Sequence, residues 1–291
     1  IFSPTLLNEA LFSFNRTDGN NVPVYPPKSF SDLGINIYTD NQPQYYVAVN
    51  DYWGTLNTGD TNRFLRDEYQ VIETLRWTRG KHSISMGGEY GRGADTVRNN
   101  FRANGRFTFN SSAPFTGDAF GDYLIGQFAT LQQGGGEYRD TRFNRVALFV
   151  NDTWKVSRRL TLTLGTRWEP FLPYTDLNGK VAVWEPGQQS TRFPNAPLGV
   201  LFAGDEGVPA GGSSTVYTRF APRVGFAYDL FGDGKTSIRG GYGIFYDSPD
   251  TLAMNNQADQ APYGTVVTIN GTASNNIVDP YAGTVNPFPI D

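Results

Sequence analysis

The sequence predicts an all-β fold made of paired antiparallel strands, and three observations predict it. Apolar and polar residues alternate with period two over stretches of roughly 9 to 13 residues. These stretches come in pairs joined by short polar turns. The composition holds 33 Gly and 18 Pro beside 21 Phe, 16 Tyr and 5 Trp, which supplies many turns and many rings. The stretches are long for a soluble protein, whose strands usually have about 5 or 6 residues, and match the roughly 9–11 that a tilted strand needs to cross a bilayer.

Seven strands are expected, near residues 5–16, 67–79, 82–92, 143–155, 160–169, 219–231 and 235–247. The first carries Ala10, Phe12 and Phe14 on one side and Glu9, Ser13 and Asn15 on the other. In the first pair Tyr69, Val71, Glu73, Leu75 and Trp77 lead to the turn Arg79-Gly80-Lys81, and Ile84, Met86, Gly88 and Tyr90 return on the same face. The opposite face of the returning strand holds Ser83, Ser85, Gly87 and Glu89. The second pair places Val146, Leu148, Val150, Asp152 and Trp154, then Leu160, Leu162, Leu164, Thr166 and Trp168, on one face. Asn151, Thr153, Thr161, Thr163, Gly165, Arg167 and Glu169 fall on the other. The third pair runs Phe220, Val224, Phe226, Tyr228 and Leu230, turns through Gly232-Asp233-Gly234, and returns as Ile238, Tyr242, Ile244 and Tyr246. Its reverse face has Arg223, Gly225, Asp229, Arg239, Gly241 and Gly243.

Segments 17–66, 91–142 and 170–218 and the tail from 248 separate the pairs, too long for structureless connections inside a compact soluble domain. They are expected to be surface loops that carry recognition. Asn178-Gly179 predicts a hairpin over 174–181, and 118–128 a short helix.

Two architectures alternate in this way, a soluble sandwich and the wall of a membrane barrel. The polar face here is rich in Gly, Ser and Thr with scattered Arg and Glu, which suits the inside of a wide barrel. The rings Trp77, Tyr90, Trp154, Trp168, Tyr228 and Tyr246 fall toward strand ends, where amphipathic rings meet lipid headgroups. Glu89, Arg167, Glu169, Arg223 and Arg239 are expected to face the lumen, and short turns on one side with long loops on the other fit an outer-membrane barrel. No apolar run approaches the 18 or so residues of a membrane helix. Glu73 is a misfit, because a charge on the lipid face is unfavourable. The alternative is a secreted or surface β-sandwich with a binding or adhesion role.

The segments Phe2 to Glu9, Trp77 to His82, Phe149 to Val156, Leu160 to Glu169 and above all Phe220 to Tyr246 (FAPRVGFAYDLFGDGKTSIRGGYGIFY) resemble the barrel of TonB-dependent outer-membrane receptors. The closest resemblance is to the subgroup carrying a carboxypeptidase-regulatory-like domain, abundant in acidobacteria. It covers roughly residues 1–247. It implies a barrel of about 22 strands in the cell outer membrane that imports a scarce solute, peptide or glycan with energy from a periplasmic TonB partner. Seven strands cannot close such a barrel, and the plug, the TonB-contacting segment and the closing strands of the family have no counterpart here. The chain is therefore expected to be an internal piece of a larger protein.

Chemistry on bonds is not expected, and no cofactor is implied. Gly234-Lys235-Thr236 imitates the end of a phosphate-binding loop, but Asp229 stands where that motif needs Gly. His82 is the sole histidine, which excludes a two-histidine metal site. No Gly-x-Ser-x-Gly elbow occurs. Asp176, Asn178, Asp205, Glu206, Asp247, Asp250, Asn255, Asn256 and Asp259 are carbonyl- and carboxylate-rich enough to bind calcium or a sugar, but solvated loop surface is the preferred reading. With 24 basic and 28 acidic residues, a net charge of −4 gives no support to nucleic-acid binding.

Overall fold

The computed structural model describes residues 2–22, 28–39, 44–52, 54–100, 102–111, 115–248, 257, 260–283 and 285. Its strands are β1 (Leu6–Asn21), β2 (Tyr46–Val49), β3 (Gly54–Asn57), β4 (Asn62–Arg79), β5 (His82–Asn99), β6 (Arg106–Phe109), β7 (Thr130–Gly134), β8 (Glu137–Lys155), β9 (Leu160–Trp168), β10 (Thr175–Asp176), β11 (Ala182–Trp184), β12 (Val200–Phe202), β13 (Phe220–Asp229), β14 (Ser237–Gly243) and β15 (Val266–Asn270). One α-helix, α1, spans Ala119–Ile125. The long strands form one sheet in the order β1-β4-β5-β8-β9-β13-β14, with β10 added beside β8. Consecutive long strands are therefore neighbours, as in an up-and-down barrel wall.

Alternation works through register. Leu164 stands opposite both Asp152 and Val224, Leu162 opposite Trp154 and Phe226, and Val224 opposite Tyr242. Directly opposed residues share a face, so these side chains, Asp152 apart, build one apolar surface. That surface is open: Leu148 is 54% exposed, Val224 49% and Ile238 49%. The sandwich alternative required these side chains to pack on one another in a closed interior, and they do not. The short turns are tightly specified. Gly80 adopts φ +58 between β4 and β5, a conformation that only Gly takes without strain. Between β13 and β14 the Asp229 carboxylate accepts from the Gly232 and Gly234 N–H groups, each at 2.9 Å, so the phosphate-loop imitation is an Asp-capped turn.

Strands β4, β5 and β8 run to 18, 18 and 19 residues, longer than alternation of apolar residues predicts, because charged side chains such as Arg66, Asp95, Arg98, Arg139 and Asp140 interrupt the alternation beyond the expected bounds. Conversely β14 ends at Gly243, short of the expected 247.

Two compact units divide the chain, one of residues 1–16, 66–95 and 141–250, the other of 17–65, 96–140 and 251–291. The second shows that much of the segments expected as long loops carries regular structure of its own. It contains a sheet in the order β15-β7-β6-β2-β3, in which β2 and β6 are parallel. Its core gathers Phe30, Val47, Val49, Phe107, Phe109, Phe128 and Leu131. The ring of Phe107 meets those of Phe30 and Phe128 edge-on, at 5.1 and 5.2 Å. Helix α1 lies within the expected 118–128: Asp118 caps it by accepting from the Gly121 N–H at 2.7 Å, and Gly126 ends it at φ +75.

In the first unit the expected hairpin over 174–181 is not formed. Thr175 and Asp176 pair with Arg142 and Thr141 of β8, and the turn closes through Asp176, whose Oδ1 accepts from the Asn178 and Lys180 N–H groups. Gly179 alone of the Asn-Gly pair has positive φ.

Candidate functional site

On the polar face of the long sheet, in the first unit, charged side chains from four strands interlock. Arg167 on β9 donates to Glu89 on β5 at 2.8 Å and also binds Glu169, two residues further on. Strand β8 lies between β5 and β9, so the guanidinium reaches across a whole strand. Gln70 on β4 donates to the second Glu89 oxygen at 2.8 Å. Beside this, Arg145 on β8 is paired with Glu68 on β4, and Arg66 with the buried Asp95 at 3.2 Å.

The glycines on this face have a specific use. A Cβ on Gly93 would lie 2.1 Å from Phe143 Cζ, and one on Gly87 2.8 Å from Phe149 Cζ. Two aromatic rings of β8 therefore reach over the glycines of β5. The small residues expected to leave a lumen open partly accommodate rings.

A cavity of about 330 Å³ opens at the end of this network, lined by Glu89, Arg145, Arg167, Glu169, Phe171 and Arg219, among others. Its size is at the lower end of small-ligand sites, which run from about 300 to 1,000 Å³. Arg219 is held between two rings, its guanidinium carbon 4.8 Å from the Phe171 centroid and 5.3 Å from that of Tyr246. It also donates to the Asp247 backbone carbonyl at 3.2 Å.

The expected charges distribute as follows. Glu89, Arg167 and Glu169 form one cluster. Arg223 and Arg239 share their side of the sheet, since Ala221 is opposite Arg167 and Ala227 opposite Arg239, but they do not join it. Arg223 packs on Phe245 at 4.6 Å, and Arg239 donates to Ser237 at 3.3 Å. Glu68, Gln70, Arg145 and Arg219 were not anticipated. Their signal was positional, because Glu68, Gln70 and Arg145 carry the parity of the polar face, Gln70 within an apolar run and Glu68 and Arg145 just outside one.

Among the rings, Trp154 stacks on His82 at 5.4 Å, and His82 is hydrogen-bonded to Asp152 at 2.6 Å. Trp77 lies under Arg79. Tyr90 donates to Asn144 at 3.1 Å, Trp168 to the Tyr217 carbonyl at 2.7 Å, and Tyr228 is opposite Leu160 and Ile238. Tyr246 departs from its expected place. It lies beyond β14, past the last backbone bond to β13 from the Ile244 N–H to the Pro222 carbonyl at 3.0 Å, and lines the polar cavity with Glu89 and Arg167.

Of the acidic residues considered as cation or sugar ligands, Asp205 is buried and fully engaged. It accepts from Ser190 Oγ, Thr191 Oγ1 and the N–H groups of Thr191, Arg192 and Phe202, all within 2.9 Å. Burial works against its charge, but these donors prevail and hold the carboxyl well below the usual range. Asp176 closes its own turn, and Glu206 and Asp247 are exposed. Asp250, Asn255, Asn256 and Asp259 lie outside the described residues.

No curated protein and no solved structure shows significant similarity to the chain. The family model of the outer membrane beta barrel domain matches residues 1–291. With the open apolar face, the successive long strands and the charged opposite face, this places the protein in the outer membrane: the chain belongs to the outer membrane β-barrel domain family.

Proposed function

We propose that this barrel is a TonB-dependent receptor, which binds a scarce solute and passes it inward with energy drawn from a periplasmic partner. The reading is carried by the contrast between the two faces of the sheet. One offers aliphatic side chains to lipid, and the other carries an ion-pair network bordering a cavity large enough for a small solute. In this reading Trp77, Tyr90, Trp154, Trp168 and Tyr228 lie at the headgroup levels. Glu89, Arg167, Glu169, Arg223 and Arg239 face the lumen, where charges find water and one another. The resemblance of Phe220 to Tyr246 to receptor barrels supports the same conclusion. The protein's role is transport, with no bond chemistry.

The test is energy-coupled uptake. Cells with and without the gene are given labelled peptides, oligosaccharides and metal chelates, with and without a protonophore. Uptake of one class is expected to need both the gene and the proton gradient. Gene-dependent passage that persists after the gradient is collapsed would identify a passive pore instead.

A further inference from the structure

Glu169 and Arg219 are cross-strand neighbours. The Glu169 N–H donates to the Arg219 carbonyl at 3.1 Å, one step beyond the Trp168–Phe220 pair. Opposite charges at directly opposed positions ordinarily pair. These two do not. Arg219 turns to Phe171, Tyr246 and the Asp247 carbonyl, and among the described residues it has no carboxylate partner. Glu169 turns to Arg167, which already serves Glu89. Two carboxylates thus share one guanidinium, and the second Glu169 oxygen has no donor among the described residues. Among the described residues the cavity wall therefore presents one guanidinium without a carboxylate partner, Arg219, beside two carboxylates without a cation of their own, Glu169 and Asp247.

We infer that this cavity takes a small zwitterionic solute of the short-peptide class, its carboxylate on Arg219 and its ammonium on Glu169. A simple anion would meet the carboxylates of Glu169 and Asp247, and a simple cation the Arg219 guanidinium. A neutral sugar would leave the charges of Arg219 and Glu169 unmatched. Charge-assisted hydrogen bonds at both ends hold such a ligand in one direction. The cavity's size suits a peptide of two or three residues. The inference rests on the transport reading for its biological consequence, while binding is measured apart from transport.

The experiment is calorimetric titration of the full-length protein in detergent with trialanine, N-acetyl-trialanine and trialanine amide. Each blocked peptide is expected to bind at least about tenfold more weakly than trialanine, because a site built around a charged group rejects the analogue lacking it. Arg219→Gln is expected to abolish the preference over the amide, and Glu169→Gln that over the acetylated peptide. Folding of each variant is checked by heat-modifiable gel mobility, and the blocked peptides test the wild-type protein without any variant. Equal binding of all three peptides, or no binding to the folded wild type, overturns the inference. Energy-coupled uptake of another solute without peptide binding sinks this inference alone. Peptide binding without energy-coupled uptake sinks only the transport reading.

Discussion

Arg167 reaches over β8 to bind Glu89 at 2.8 Å, so strands that share no backbone hydrogen bond are tied by side chains on the polar face. Both groups are mostly sheltered, with side-chain exposures of 26% and 19%. Removing the guanidinium leaves two neighbouring carboxylates without their cation. Arg167→Met is expected to lower stability in lipid vesicles by about 1.5–3 kcal/mol, the range for hydrogen bonds to charged groups. Adding Glu89→Gln is expected to recover part of the loss. Urea titration of the refolded protein measures both, and additive losses would show that the two residues act independently.

Glu73 is exposed on the side of the sheet shared by Tyr69 and Val71, and among the described residues it has no ion-pair partner. A carboxylate facing lipid is unfavourable by somewhat less than the roughly 2–4 kcal/mol of Arg or Lys at the bilayer midplane. Glu73→Leu is therefore expected to raise the urea midpoint in vesicles by an amount equivalent to about 1–2 kcal/mol. An unchanged or lowered midpoint would place Glu73 away from hydrocarbon.

Gly93 lies beneath the Phe143 ring, where an added Cβ would come within 2.1 Å of Cζ. The ring has little freedom to yield, being edge-on to Tyr174 at 5.3 Å and under Arg145 at 5.4 Å. Gly93→Ala is expected to destabilise by about 1–3 kcal/mol, as overpacking does. Phe143→Leu in the same chain is expected to relieve most of it. Unfolding midpoints of the single and double variants provide the comparison.

The long strands were legible because their two faces meet opposite media, so a single residue step reverses the required polarity and alternation persists over many residues. Val146 to Trp154 and Leu160 to Trp168 show this most clearly. The second unit was not legible. Its core comes from strands of four or five residues, such as Val47 and Val49, Phe107 and Phe109, and Leu131. Runs that short repeat the alternation only twice, and they meet only after three distant segments come together. At the candidate site, parity revealed Glu89 and Arg167, whereas Arg219 precedes its strand and depends on where Phe171 and Tyr246 lie after the chain has left the sheet.

Asp205 organises the connection around β11 and β12 as an ionised group. Its folded carboxyl is held below the ordinary carboxylate value by hydrogen bonds that outweigh burial. The stabilisation is therefore complete above the unfolded value, near pH 4, and fades as pH falls toward the folded one. Asp205→Asn turns an acceptor into a donor facing the Thr191, Arg192 or Phe202 N–H groups. Faster proteolysis within 185–215 is expected in the variant at pH 7, with the difference from wild type narrowing at pH 3 and below. A difference that stays constant with pH would mean that shape, and not charge, is what Asp205 supplies.

Tyr281 closes the second unit by donating to the Gln133 side-chain oxygen at 2.5 Å, while the Gln133 nitrogen donates to the Tyr38 and Ala103 carbonyls at 2.8 and 2.9 Å. Both residues are buried, at 4% and 1% exposure. Burial pushes the Tyr281 hydroxyl above its ordinary value, so it stays protonated and a donor across the neutral range. Tyr281→Phe keeps the ring and strands the Gln133 oxygen, a change expected to weaken this unit by about 1–3 kcal/mol. Hydrogen exchange is the appropriate readout, because it separates local from global opening. Amides of β6 and β7 are expected to exchange faster while those of β9 and β13 keep their wild-type rates. Acceleration spread equally over all four strands would show that the two units open together.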